Sequence, residues 1–134
     1  MILKEDQLSD LLGLLSDRKS RELLNIMVEP GFDTITLRKK SKMTRKQIYS
    51  RTCKMLKIGL ISRSKCKLSV TIFGKAILQN LQFSQKLLED KWKFKAINAI
   101  DLQDMSVEEH KKLVHSIIND AKIEKILWNV KQFH

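Results

Sequence analysis

The stretch that decides the fold is Thr44-Arg-Lys-Gln-Ile-Tyr-Ser-Arg-Thr-Cys-Lys-Met-Leu-Lys-Ile-Gly59, because it contains the signals for both ends of one helix. Thr44 and Gln47, three residues apart, form a capping box, in which each side chain binds a backbone N–H of the other residue. Gly59 stands where a left-handed residue commonly ends a helix. The apolar face consists of Ile48, Thr52 and Met55. The sequence therefore predicts a helix over residues 44–57 with one buried face.

The segments on either side complete a recognisable order of elements. A short basic helix is predicted over 36–42, with Leu37 facing inward and Met43 as the turn. After Gly59 the pattern changes to alternation: Leu60 and Ile61 precede a polar stretch with a basic tip at Lys65-Cys66-Lys67, followed by Leu68, Val70 and Ile72. This alternation predicts a β-hairpin, although its tip lacks the favoured Asn-Gly or Asp-Gly.

The rest of the chain is predicted to be helical. Leu8, Leu11, Leu12 and Leu15 indicate a short N-terminal helix, and Asp17 is the expected N-cap of a second helix that stops at Pro30-Gly31. A long helix is expected from Thr71 or Ile72 to between Phe94 and Ile100. Ser106 and Glu109 form another capping box, and a slip in apolar phase at Asn119-Asp120 predicts a break before a last short helix.

These elements give a mainly α chain with a small β-hairpin. Helix, short helix, capped helix, hairpin and helix is the order of a winged helix-turn-helix, which we place at residues 17–81. An N-terminal helix (residues 1–16) precedes it, and a C-terminal helical extension (82–134) follows as a candidate dimerisation region. The long helix around Ile77–Trp92 carries more aliphatic side chains than one small core requires. Trp92 and Trp128 are therefore expected to be core or dimer anchors.

Positive charge is concentrated in one segment. The chain has 134 residues and a net charge of +11, yet residues 34–88 contain no Asp or Glu and fourteen Lys or Arg. The other 79 residues have a net charge of −3. Solvated lysines scattered at random would not leave so long a stretch without acids, so this segment is expected to face an anionic partner.

Other classes of protein are disfavoured. The sequence contains no run of 18 apolar residues, which is the length needed to span a membrane. The first ten residues are too polar for a signal peptide. Two cysteines in a chain of this size point to a reducing compartment, which we expect to be the cytoplasm. His110 and His115, five residues apart, lie on different faces of a helix, so no metal is expected. No phosphate loop or nucleophile motif is present in the sequence, so we expect neither a cofactor nor an enzyme.

The sequence resembles a known family over about residues 17–81. The run Met43–Thr52, then Met55, Gly59-Leu60-Ile61 and Ser69–Lys75 is similar to archaeal winged-helix transcriptional regulators, loosely akin to the ArsR and MarR groups. In that family a capped recognition helix ends in Leu-x-x-x-Gly-Leu-Ile, and the wing returns through Leu-Thr-x-x-Gly into a helix. Here Met55 and Val70 replace leucines and the wing lacks its usual glycine. The resemblance implies a DNA-binding regulator that forms a homodimer.

Double-stranded DNA is the expected partner, with the helix over 44–57 in the major groove and the wing over 62–69 on the backbone. The predicted contacts are Arg38, Lys39, Lys42, Thr44, Arg45, Lys46, Tyr49, Ser50, Cys53, Lys54, Lys57, Arg63, Lys65 and Lys67. Tyr49 has an alternative role as a half-buried packing residue, and Cys53 as an oxidation-sensitive thiol. The alternative function is that of a winged-helix module that binds RNA or that binds an acidic protein.

Overall fold

The computed structural model describes residues 2–101 and 105–131, which fall into two compact units, the first ending at Phe83 and the second beginning at Ser84. The first unit contains α1 (Ile2–Ser16), α2 (Arg18–Met27), α3 (Thr34–Ser41), α4 (Arg45–Ile58), β1 (Ile61–Ser64), β2 (Lys67–Val70) and most of α5 (Ile72–Glu89). The second contains the end of α5, then α6 (Lys91–Asp101), α7 (Val107–Ile117) and α8 (Ala121–Lys131). The prediction of a mainly α chain with a small β-hairpin is confirmed.

Helix α4 begins and ends where the sequence predicts. The hydroxyl of Thr44 accepts the N–H of Gln47 at 3.2 Å, and the side-chain oxygen of Gln47 accepts the N–H of Thr44 at 3.1 Å. Gly59 follows the helix at φ 95°, a left-handed conformation that glycine adopts without a steric penalty. Both ends of α4 are therefore set by local chemistry.

Helix α3 begins two residues earlier than predicted, because Asp33 caps it. The carboxylate of Asp33 accepts the N–H of Thr36 at 2.7 Å, which satisfies a backbone group that the helix start leaves free. The helix ends at Lys42, whose φ is 57° and whose N–H donates to the carbonyl of Arg38. Leu37 is buried, as predicted.

The hairpin of β1 and β2 has a two-residue turn. Ile61 pairs with Val70 and Ser64 with Lys67, so only Lys65 and Cys66 lie between the strands. Their φ values, 51° and 66°, are those of a type I′ turn, which usually contains Asn-Gly. A left-handed conformation costs a residue other than glycine about 1–2 kcal/mol, so the turn is strained.

A close packing contact joins the hairpin to α5. The hydroxyl of Thr71 donates to the carbonyl of Gly59 at 2.7 Å and accepts the N–H of Gly74 at 3.0 Å. A Cβ atom at Gly74 would clash with the carbonyl oxygen of Leu60. Only glycine therefore allows α5 to pack this closely against the end of α4.

The core of the first unit draws on every helix of that unit. Its buried apolar members are Leu14, Leu23, Leu24, Met27, Leu37, Met43, Ile48, Met55, Leu60, Ile61 and Leu78. Helix α1 contributes Leu14, and the predicted Leu11 packs against the core beside it. The predicted Leu8 and Leu12 are 47% and 57% exposed, so the prediction is wrong for that part of the face.

Asp17 occupies the predicted N-cap position of α2, but its side chain makes no capping bond to the backbone. Its carboxylate instead accepts the hydroxyl of Ser20 at 2.7 Å and the Nε–H of Arg51 at 2.8 Å. Asp17 therefore connects the start of α2 to the middle of α4.

The prediction of one long helix is wrong. The helix is interrupted at Asp90, so it is divided into α5 and α6. The carboxylate of Asp90 pairs with Lys93 in the first turn of α6, where negative charge favours a helix start. Trp92 is 65% exposed and so is not a core anchor. The side chain of Trp128 lies outside the described residues.

The last two helices begin where the sequence predicts, although Ser106 caps α7 through one hydrogen bond and not through the predicted capping box. Ser106 accepts the N–H of Glu109 at 3.2 Å, and the carboxylate of Asp120 accepts the N–H of Lys122 at 2.9 Å. The predicted break before the last helix is therefore confirmed. The buried apolar residues among the described part of this unit are Ile97, Val114, Ile118 and Ile123. No helix within residues 2–101 and 105–131 has both the length and the apolar surface to cross a bilayer.

Candidate nucleic-acid interface

A groove of about 1250 Å³ lies between α3, α4 and the hairpin of β1 and β2. Its apolar lining includes the buried side chains of Leu37, Met43 and Ile48. Exposed basic side chains line it from all three elements: Arg38, Lys39, Lys42, Arg45, Arg63 and Lys67. We call it the basic groove. Three separate elements therefore direct positive charge to one concave surface.

Asp33 is the single acid among the described residues that line the basic groove. The N–H of Thr36 lowers the pKa of the Asp33 carboxyl, with a smaller contribution from the positive charge of Lys39. The carboxylate is therefore ionised at neutral pH and engaged in capping α3. Because this one acid is already hydrogen-bonded, the side chains that line the groove have a large net positive charge.

Helix α4 presents its predicted contact residues along three strips. Arg45 and Tyr49 line the basic groove. Lys46 and Cys53 are exposed and line neither this groove nor a second one beside α1. Ser50, Lys54 and Lys57 border the second groove, on the other side of α4. The exposed face of α4 is thus the convex ridge between two depressions.

Tyr49 is 69% exposed, so the alternative that it packs into the core is wrong. Its backbone carbonyl accepts the hydroxyl of Thr52, a buried residue one turn further along the helix. The aromatic ring is free to contact another molecule through its face, and its hydroxyl is free to donate a hydrogen bond.

All fourteen predicted contact residues are exposed. Three other bases of the acid-free segment pair with acids outside it: Arg51 with Asp17, Lys40 with Glu29 and Lys86 with Asp120. None of the ten predicted lysines and arginines forms an ion pair in the part of the chain that the structure describes. The ion pairs within the chain thus involve other basic residues, and they do not neutralise the positive charge of the predicted contact residues.

Backbone strain is found at the same groove. Lys42, Lys65 and Cys66 are the non-glycine residues with positive φ in the described part of the chain. Lys42 and Cys66 line the groove, and Lys65 lies at the hairpin tip beside it. All three also serve the fold, because Lys42 is the left-handed residue that ends α3 and the other two form the turn of the hairpin.

Sequence reasoning missed two groups of residues that line the groove. Cys66 belongs to it although only its neighbours were predicted as contacts. Phe32 and Ile35, at the start of α3, also line it, and Ile35 is 66% exposed. The exposure of Ile35 does have a signal in the sequence: it lies two positions from the inward-facing Leu37, about 200° around the helix.

His115 of α7 interacts with a carboxylate of α8. Nδ1 of His115 lies 2.8 Å from the carboxylate of Glu124, which joins α7 to α8. Within residues 2–101 and 105–131, no three His, Cys, Asp or Glu side chains form a group that could hold a metal.

The chain matches no protein-family model, no curated protein and no solved structure. Its function must therefore be inferred from the basic groove and the ridge of α4. A concave surface lined with basic side chains is suited to binding the phosphates of a nucleic acid. The exposed helix beside it can then contact the edges of the bases.

Proposed function

We propose that the protein is a winged helix-turn-helix regulator of transcription that binds double-stranded DNA sequence-specifically. The observation that supports this proposal is the basic groove. Six lysines and arginines from three elements line it, together with a single acid that caps a helix. Charge that is gathered from separate elements, and not paired within the chain, is the electrostatic pattern of a nucleic-acid-binding surface.

In this proposal α4 is the recognition helix and the hairpin is the wing. The major groove of DNA is wide enough to admit a helix, and the first turns of α4 present Arg45 and Lys46 to base edges. Tyr49 and Ser50 follow one turn later. The basic groove then receives the sugar-phosphate backbone of one strand, between the recognition helix and the wing.

The sequence of α4 supports a role in binding over a role in stability. Arg45 and Lys46 lie in the first turn, where positive charge opposes the helix dipole by a few tenths of a kcal/mol. The first turn contains no acid. A local choice that disfavours the helix is explained if the same residues contact DNA.

We also propose a homodimer in the cytoplasm that binds without catalysis. A single winged helix contacts one segment of the duplex, so two copies give the second half-site that sequence specificity requires. Cys53 and Cys66 are both free and exposed, as suits a reducing compartment.

Selection of bound sequences from random duplex DNA tests the proposal. We expect an enriched motif with two related half-sites and an affinity that falls steeply with salt. Two alternatives give different outcomes. An RNA-binding module would bind structured RNA more tightly than duplex DNA at the same salt concentration. A protein-interaction module would enrich no DNA motif.

A further inference from the structure

A second groove, of about 1000 Å³, lies between α1, the C-terminal half of α4 and the start of α5. Its apolar lining includes Leu8, Leu11, Ile58 and Phe73. Leu8 and Phe73 are each almost half exposed. Leu12, one turn along α1 from Leu8, is 57% exposed. We call this surface the α1 groove. Apolar side chains that a monomer leaves in water favour a partner that covers them.

Gly13 supports a close approach by another chain. It lines the α1 groove from the interior of a helix, where glycine is less favourable than alanine. A Cβ atom at Gly13 would have no atom within 4 Å, so packing within this chain does not require glycine there. The open space lets the backbone of a second helix come near α1.

The charges of the α1 groove identify what approaches. Among its charged lining residues, Asp17 and Arg51 neutralise each other. Lys54 and Lys57 then face only Asp10, and no described carboxylate pairs with either lysine. The occupant must therefore offer exposed leucines together with acids.

Helix α1 itself has that chemistry. Between residues 5 and 16 it contains Glu5, Asp6 and Asp10 and no lysine or arginine. All three acids are exposed, as are Leu8 and Leu12. On a helical wheel, Glu5 lies on the side of α1 opposite the buried Leu14, and Asp6 lies at its flank, about 80° from Leu14.

We propose that two copies of the chain form a symmetric dimer in which α1 of each copy lies against the α1 groove of the other. The partner's Glu5 and the partner's Asp6 meet Lys54 and Lys57, and the exposed leucines of both copies are covered together. A two-fold axis makes both contacts at once, because the same patch serves on each side. This surface lies in the first unit, whereas the sequence pointed to the C-terminal helices. The proposal rests on the homodimer of the proposed function but not on DNA binding, and it assigns Lys54 and Lys57 to the dimer contact in place of the DNA contact predicted for them.

A charge-swap experiment tests this dimer. In variant one Lys54 and Lys57 are replaced by Glu, and in variant two Glu5→Lys and Asp6→Lys are combined. We expect the wild-type protein to sediment as a dimer at micromolar concentration and each variant alone as a monomer. An equimolar mixture of the two variants should form a heterodimer, because both contacts of the pair are again between opposite charges. A monomeric wild type, or a mixture that stays monomeric, would overturn the proposal.

Two further variants separate loss of the dimer from loss of the fold. Gly13→Leu adds a side chain on an exposed position whose Cβ would have no atom within 4 Å, so we expect a normal circular dichroism spectrum and loss of the dimer. Leu88→Glu changes an apolar residue of the second unit that is 71% exposed, and the dimer should persist. A dimer that survives Gly13→Leu but not Leu88→Glu would place the interface on the C-terminal helices and contradict the proposal.

Discussion

Arg51 in α4 donates its Nε–H to the carboxylate of Asp17, at 2.8 Å and across 34 positions of the sequence. The same guanidinium donates to the carbonyl of Gln47 one turn earlier in α4. Asp17 also accepts the hydroxyl of Ser20. The start of α2 is thereby tied to the middle of α4, and α4 is held in the orientation that exposes its basic ridge.

Acid should weaken this connection. The hydrogen bond from Ser20, followed by the hydrogen bond and charge of Arg51, lowers the pKa of the Asp17 carboxyl below its ordinary value of 3.8, although burial partly opposes the shift. Because the folded pKa is the lower one, the stabilisation is present above pH 3.8 and is lost as the pH falls through the folded pKa. We expect Asp17→Asn to lower the free energy of unfolding at pH 7 by about 0.5–1 kcal/mol.

Denaturant unfolding of wild type and Asp17→Asn from pH 7 to pH 2 measures this difference. The gap between the two curves should close at the acid end of the range. A gap that stays constant would show that the ionisation of Asp17 contributes nothing. Glu22→Gln, at an exposed surface pair of α2, is the control and should differ little from wild type at any pH.

The hairpin turn should tolerate residues that suit it better. In Lys65→Asn combined with Cys66→Gly, the two left-handed positions receive the residues that type I′ turns prefer. We expect a gain of about 1 kcal/mol in stability, or a rise in Tm of about 4–8 °C for a unit of this size. Lys67→Asn, beside the turn but at an ordinary φ, should give no gain. A lower Tm for the double variant would contradict the strain inferred for the turn.

Gly74→Ala should destabilise the first unit, although alanine is the better helix former. The new Cβ meets the carbonyl oxygen of Leu60 and the side chain of Val70, so either α5 or the end of α4 must shift. Overpacking of this kind costs about 1–3 kcal/mol. Gln79→Ala, exposed on the same helix, should be neutral or slightly stabilising. Chemical denaturation compares the two, and equal stability of both variants would rule out the close contact.

Binding by the hairpin should be separable from sequence recognition. We expect neutralising Arg63, Lys65 and Lys67 to weaken binding to all duplexes alike and to lower the salt slope by about one to three units. The matched control is Lys40→Gln, because Lys40 pairs with Glu29 and should leave the slope unchanged. A changed sequence preference with an intact slope would show that the hairpin contacts bases instead.

The first turns of α4 should carry specificity. We expect Arg45→Ala or Tyr49→Ala to cost about 1–3 kcal/mol in binding to the selected sequence and much less with random DNA. Both side chains are exposed, so thermal unfolding should be unaffected. Fluorescence anisotropy with the two duplexes gives the comparison. Equal losses on both would reduce these residues to a non-specific role.

The sequence was most informative where one side chain determines the structure. The capping box of Thr44 and the glycine at 59 act within one helical turn, so α4 could be predicted at both ends. The break before α8 was readable from the slip in apolar phase at Asn119-Asp120, and in the structure Asp120 caps the helix that follows it. Local hydrogen bonds need no knowledge of distant residues.

Tertiary partners account for what the sequence did not reveal. Asp17 had the sequence signature of a cap, and only the fold brings Arg51 close enough to take its carboxylate. The apolar spacing of α1 fitted more than one face, and packing against the core selected Leu14. The division of the contact residues of α4 between two grooves likewise depends on where α1 and α3 lie.

The two-residue turn of the hairpin restricts how this protein and any descendants can change. Side chains alternate between the faces of a strand, so inserting or deleting one residue at the turn would reverse every side chain beyond it. Val70 would then leave the core, and Lys67 would exchange faces with Leu68. Viable length variants of the hairpin should therefore differ by two residues, unless a bulge absorbs the odd one. Point substitution at the tip is the simpler evolutionary route to a different binding preference.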